Sequence, residues 1–146
     1  MSAADGRVVK IAQVLEGMRV SVFMTVFNVH VNRIPCSGRV ERVTYHPGRF
    51  FSAFREKASD ENERTEIVIV RGTRRVIVTQ IAGVIARRIV CRLKAGDVVH
   101  TGERFGMIKF GSRVDLTLPA ETEIKVRVGD RVRGGQTIMG VMPDGE

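Results

Sequence analysis

The 146-residue sequence has no tryptophan, one tyrosine and only 5% aromatic residues. A platform that stacks single-stranded bases needs more rings than that, so nucleic-acid binding has only charge in its favour. The two cysteines, Cys36 and Cys91, follow neither a metal spacing nor a Cys-x-x-Cys pattern and read as reduced thiols. Three histidines, with no His-x-x-x-His pair, argue against a zinc hydrolase. The Gly-Lys-Ser/Thr phosphate loop, the Gly-x-Gly-x-x-Gly turn and the Gly-x-Ser-x-Gly elbow are absent. A conventional nucleotide enzyme or α/β hydrolase is therefore unsupported. The longest apolar run, 81–86, has six residues, far short of the roughly 18 of a membrane span. Asp5 and Arg7 interrupt any apolar start, so no secretory signal is expected.

Leucine is scarce as well, with four residues against 34 valines and isoleucines. β-Branched side chains fit a pleated surface and lose rotamer freedom in a helix. With 15 glycines for turns, the composition predicts a mainly β fold with little helix. The length suits one domain with its own core. Net charge is +8, from 19 Arg and 5 Lys against 16 acids. Such a surface favours anionic partners, and arginine is the better bidentate ligand for phosphate and carboxylate.

Residues 6–14 read as a strand. Residues 19–31 alternate loosely with both faces mostly apolar, which predicts a strand buried on both sides or lining a lipid-accessible groove, broken before Pro35. Shorter strands are expected over 39–45 and 49–54, around Tyr45-His-Pro-Gly48, and a polar loop over 56–64. Residues 66–70 and 75–79 flank Arg71-Gly-Thr-Arg74 as a hairpin. Another strand is expected over 84–91. From Arg71 to Gly96 there are seven basic residues and no acid, either a solvated strand face or an anion-facing one.

The C-terminal third carries an internal repeat. Leu93-Lys-Ala-Gly-Asp-Val-Val-His-Thr-Gly102 matches Val126-Arg-Val-Gly-Asp-Arg-Val-Arg-Gly-Gly135 at an offset of 33 residues. Strands opened by Gly6-Arg-Val and Gly38-Arg-Val precede the two copies. The unit resembles the hammerhead hairpin of biotinyl- and lipoyl-like barrel-sandwich domains. It implies a barrel-sandwich-hybrid-like fold, although no lysine stands in the context of a modifiable hairpin tip. A non-catalytic carrier or adaptor module is the functional reading that rests on the repeat alone.

Chemistry concentrates in Phe105-Gly-Met-Ile-Lys-Phe-Gly-Ser-Arg-Val-Asp-Leu116. Gly111 offers an unhindered carbonyl and permissive φ/ψ. Ser112 offers a hydroxyl that needs a base or a polarised carbonyl before it acts as a nucleophile. The stretch resembles the self-cleavage region of phosphatidylserine decarboxylases, above all the short prokaryotic form. Four further blocks resemble the same family in the same order. They are Ala4-Asp-Gly-Arg-Val8, Phe23 to Pro35 with Ser37-Gly38, Tyr45-His-Pro-Gly48, and Lys57-Ala-Ser-Asp-Glu-Asn-Glu-Arg64.

The resemblance implies one catalytic domain over 1–146, made as a proenzyme and cut between Gly111 and Ser112. The pieces are a large fragment 1–111 with charge +9 and a small fragment 112–146 with charge −1. It implies a pyruvoyl cofactor derived from Ser112, on which the amine of a serine phospholipid condenses and loses CO2. The cofactor carries the hard step and the protein orients the reactants. Asp5 and His30 match positions that assist self-cleavage, where an Asp-held His could take the serine proton. His30 could equally protonate the product carbanion or hold the substrate carboxylate. Larger relatives carry His-x-x-His-x-Pro. With Pro35 aligned, His30 fills the first position and Arg33 the second; an alignment with an insertion puts His30 at the second position instead. Arg33, as a bidentate partner for phosphate or carboxylate, and Asn32 are the candidate substrate-binding residues. Relatives also carry a membrane-associated segment before Asp-Gly, whereas Met1 stands almost on this motif, as in a shortened or minimal form. The expected partners are the serine phospholipid and an anionic membrane, met peripherally on the cytoplasmic side of the cell membrane. No nucleic acid is expected, and a homo-oligomer stays open.

Overall fold

Val76, Val78 and Gln80 are buried while Arg75 is exposed and Ile77 and Thr79 are half-buried. That period of two is the reason this valine- and isoleucine-rich chain folds as sheet. The computed structural model describes residues 1–24, 31–48, 62–83, 89–108 and 112–143. These residues form strands and no helix. The strands are β1 (Gly6–Val14), β2 (Gly17–Phe23), β3 (Val31–Arg33), β4 (Gly38–His46), β5 (Arg64–Arg71), β6 (Arg74–Ile81) and β7 (Ile89–Cys91). After them come β8 (Val98–Val99), β9 (Arg104–Ile108), β10 (Arg113–Leu118), β11 (Glu123–Ile124), β12 (Arg131–Val132) and β13 (Gly140–Val141). Eight strands make a curled sheet in the order β12-β1-β2-β10-β6-β5-β4-β8. β3-β9-β7 make a small sheet, and β11-β13 pair separately. The mainly β, barrel-like architecture is the one composition and repeat imply.

The order of the large sheet is a palindrome in structure. From the central β10–β6 pair outward, β2 corresponds to β5, β1 to β4 and β12 to β8. The correspondence reaches single hydrogen bonds. β1 has a bulge between Val8 and Lys10, and β4 has one between Val40 and Arg42. Gly129 N–H donates to Val8 O at 2.7 Å, and Gly96 N–H donates to Val40 O at 2.8 Å. The Asp130 carboxylate closes one repeat turn on Arg127 N–H at 2.9 Å, and that of Asp97 closes the other on Lys94 N–H at 3.1 Å. Gly96 and Gly129 take φ of +96° and +99°, a region that a Cβ strongly disfavours. The Gly-Asp repeat is thus a turn built twice, each copy docked on its own Gly-Arg-Val strand.

β5 and β6 form the expected hairpin, closed by Gly72 and Thr73 with Gly72 at φ +60°. A glycine at the first central position is what a tight hairpin turn requires. β2 starts two residues earlier than its alternation suggested and stops at Phe23; the rest of the expected strand, 25–30, lies outside the described residues. The strand over 49–54, most of the loop over 56–64 and the front of 84–91 also lie outside them. The basic stretch after Arg71 is partly neutralised from elsewhere in the chain. Glu41 takes both Arg75 Nε and Arg75 Nη2 at 3.1 Å, and Glu121 pairs with Arg74.

Candidate functional site

All six residues of β10 are buried. The strand lies at the centre of the large sheet, and Ser112 stands just before its first residue. Arg113 is opposite Phe23 on one side and Ile81 on the other. Ser112 therefore continues the row between Met24 and Ala82, and Met24 N–H donates to Ser112 O at 2.9 Å. The row extends across β5, where Ala82 N–H donates to Glu63 O at 3.0 Å. Beside it the Asn62 amide donates to Ala82 O at 2.7 Å.

Side chains on the Ser112 face meet between the two sheets. Ser112 is fully buried, and its hydroxyl donates to Met24 Sδ at 3.6 Å. The same sulfur receives the Asn32 amide Nδ2 at 4.0 Å. Asn32 projects from β3 and is also fully buried, and its Oδ1 accepts from Gln80 Nε2 at 2.9 Å. Gln80 Nε2 donates a second time, to Val90 O at 3.1 Å. A line of polar contacts thus runs from the serine through a soft thioether to a pair of amides. Among the described residues, the partners along this line are neutral amides and a thioether, while Arg113 and Asp115 of β10 lie on the opposite face. There Arg113 Nε pairs with Asp115 Oδ1 at 3.1 Å, and Arg19 Nε approaches Asp115 Oδ2 at 3.8 Å.

The remaining candidates fall in different places. Asp5 precedes β1, two strands from β10, so its main chain is about 10 Å from that of Ser112. Its Oδ1 accepts the Gly134 N–H at 2.7 Å. In the other half of the palindrome, Ser37 Oγ accepts Thr101 N–H at 2.9 Å in the equivalent place. Asp5 therefore caps a repeat turn whatever else it does. Arg33 is the last residue of β3. One guanidinium N–H donates to Gly102 O at 2.8 Å, and its stem packs at the glycine position of Gly135. It braces the second glycines of the two repeats against each other. His30 and Gly111 lie outside the described residues. Of the proposed site, the structure brings together Ser112 and Asn32.

Two residues of the cluster, Met24 and Gln80, were not singled out from sequence. Gln80 did leave a signal. It occupies a core slot of an alternating strand after Val76 and Val78, where an apolar residue is the norm. Met24 left none, because methionine is an ordinary gap-filler in cores.

A protein-family model described as phosphatidylserine decarboxylase matches residues 1–140. Among curated proteins, the phosphatidylserine decarboxylase proenzyme of Syntrophus aciditrophicus is 49% identical, over 96% of this chain and 70% of its own length. The protein of the same description from Chlorobium chlorochromatii is 51% identical over 96% and 69%. That from Oleidesulfovibrio alaskensis is 52% identical over 95% and 67%. No solved structure matches the chain.

Proposed function

The chain belongs to the phosphatidylserine decarboxylase family, and on that premise we propose that it decarboxylates phosphatidylserine through a pyruvoyl group made from its own Ser112. The observation that carries this reading is the placement of Ser112. It is a buried hydroxyl at the mouth of the central strand, facing the space between two sheets, with Met24 Sδ and the Asn32–Gln80 amides beside it among the described residues. That relatives of this similarity are described as proenzymes supports a chain that is cut before it works.

In the proposed maturation Ser112 Oγ attacks the carbonyl carbon of Gly111. The amide C–N bond breaks as the ester C–O bond forms, and the hydroxyl proton ends on the freed nitrogen. β-Elimination then breaks the Cβ–O bond, giving 1–111 a carboxylate end and leaving 112 unsaturated. Water adds, ammonia leaves, and the small fragment starts with a ketone. His30 is the proposed acceptor of the hydroxyl proton. Asp5, with Oδ1 held by Gly134 N–H, has Oδ2 to orient an imidazole.

The residues present fit the group. A pyruvoyl group would carry its ketone at the former α-carbon of residue 112 and a methyl in place of the hydroxymethyl side chain, so no charge would enter the buried space beside Met24 and the Asn32–Gln80 amides. Once formed, it supplies an electron sink for the carboxyl group that departs as CO2. The chain's own residues bind and orient. We assign Asn32 to the substrate headgroup next to the ketone. Arg33, farther along β3 and with one of its five N–H donors committed to Gly102 O, is assigned to the phosphate. The large fragment carries all of the excess positive charge, which supports peripheral association with an anionic membrane, on the cytoplasmic side of the cell. A homo-oligomer is compatible with this reading.

Denaturing electrophoresis of the purified chain tests it. Two bands are expected for the natural sequence and one for Ser112→Ala. A single uncut band for both would overturn the reading.

A further inference from the structure

Gln80 is completely buried, and one half of its amide is fully used while the other is not. Nε2 donates to Asn32 Oδ1 and to Val90 O. Val90 O can only accept, so the amide cannot be turned the other way round. Its Oε1 is then left buried with no hydrogen-bond partner among the described residues. Buried acceptors without a partner are rare, and each calls for a reason.

The surroundings supply one. Gln80 is paired with Val114, and Ser112 lies two residues before Val114, so both side chains leave the same face of the sheet. Gln80 and Ser112 are diagonal neighbours, roughly 7–8 Å apart across adjacent strands. Room for the amide is kept by Gly106 on β9. A Cβ there would stand 2.9 Å from Gln80 Nε2 and 2.1 Å from Val90 O. The fold therefore reserves a rigid acceptor next to the serine and, among the described residues, gives it no donor.

Resting on the proposed chemistry at Ser112, we propose that Gln80 Oε1 is the acceptor for an N–H of the substrate's amino group. It is the specificity-determining contact for an amine-bearing headgroup. The donors that fix Gln80 make it a preorganised reader: the amide is locked before the ligand arrives, so no rotamer freedom is lost on binding.

The test uses the purified, self-processed chain and two soluble probes, glycerophosphoethanolamine and glycerol phosphate, titrated by calorimetry. They share the glycerol phosphate and differ in the ethanolamine arm that carries the amine. The natural chain is expected to prefer the amine-bearing probe. Gln80→Met should weaken that probe about ten- to a hundredfold, the range of one hydrogen bond to a charged group, and leave glycerol phosphate unchanged. Equal weakening of both probes, or of neither, would overturn the assignment. If Gln80→Met melts too low to titrate, glycerophosphocholine on the natural chain takes its place. Its quaternary ammonium keeps the charge and has no N–H to donate, so it should lose the advantage of the amine-bearing probe, and binding as tight as that of glycerophosphoethanolamine would overturn the proposal. A gel of each sample separates the two failures. A cut natural chain without headgroup preference overturns the Gln80 assignment alone, whereas an uncut one overturns the pyruvoyl reading and this assignment with it.

Discussion

A serine hydroxyl is inert until a base or a strained neighbour acts on it, and the residues around Ser112 differ in how openly they declared themselves. Ser112, Asn32 and Arg33 could be named because they sit in blocks that resemble a known family. Asn32 then proved to be in the serine's own cluster, and Arg33 to brace two turn glycines. Gln80 escaped because one amide among valines and isoleucines says nothing until its unused oxygen is seen. Cys91 allows a prediction at the same scale. Burial pushes its thiol above the ordinary 9.0, against a smaller opposing effect of a backbone hydrogen bond at Leu93. With the folded value raised, the unfolded chain ionises first. This contribution to stability is whole below 9.0 and fades as pH climbs through the folded value. Urea midpoints measured on either side of 9.0 should fall more for the natural chain than for Cys91→Ala. Parallel falls would show that Cys91 contributes nothing.

At the scale of elements, β10 shows how pattern and burial part company. Arg113-Val-Asp-Leu-Thr-Leu118 alternates polar and apolar, the mark of a strand with one wet face. Both faces are buried. The polar face carries the Arg113–Asp115 pair, each side chain only 3% exposed. Removing one member takes an opposite charge away from a buried one, so Asp115→Ala should cost about 3–5 kcal/mol of unfolding free energy. The double variant Asp115→Ala, Arg113→Met should recover part of it. A loss under about 1 kcal/mol in denaturant titration, the worth of an exposed pair, would contradict the burial. The repeat turns were the most legible elements. Their glycines and aspartates are local requirements of a turn, and a local requirement is visible in local sequence. The pairing of β1 with β12 and of β4 with β8 was not visible, because it joins residues more than 50 positions apart.

For the whole molecule, sequence and structure agree on the class. Few leucines, many β-branched residues and a duplicated turn implied a mainly β barrel-like body, and the palindromic sheet is how the duplication is expressed. Charge gives the prediction at this scale. With +9 on the large fragment and roughly 1 kcal/mol per basic residue near an anionic surface, binding to acidic vesicles should weaken steeply with salt. Binding that ignores salt would instead indicate apolar insertion, for which Phe23, Phe27, Phe50 and Phe51 are the candidates. The most direct measurement is the intact mass of the purified chain. Two species are expected, 1–111 and 112–146, the second lighter by one ammonia than the same fragment beginning with serine. A single unbroken 146-residue chain, or a small fragment that still begins with serine, would contradict the conversion of Ser112 on which the chemistry depends.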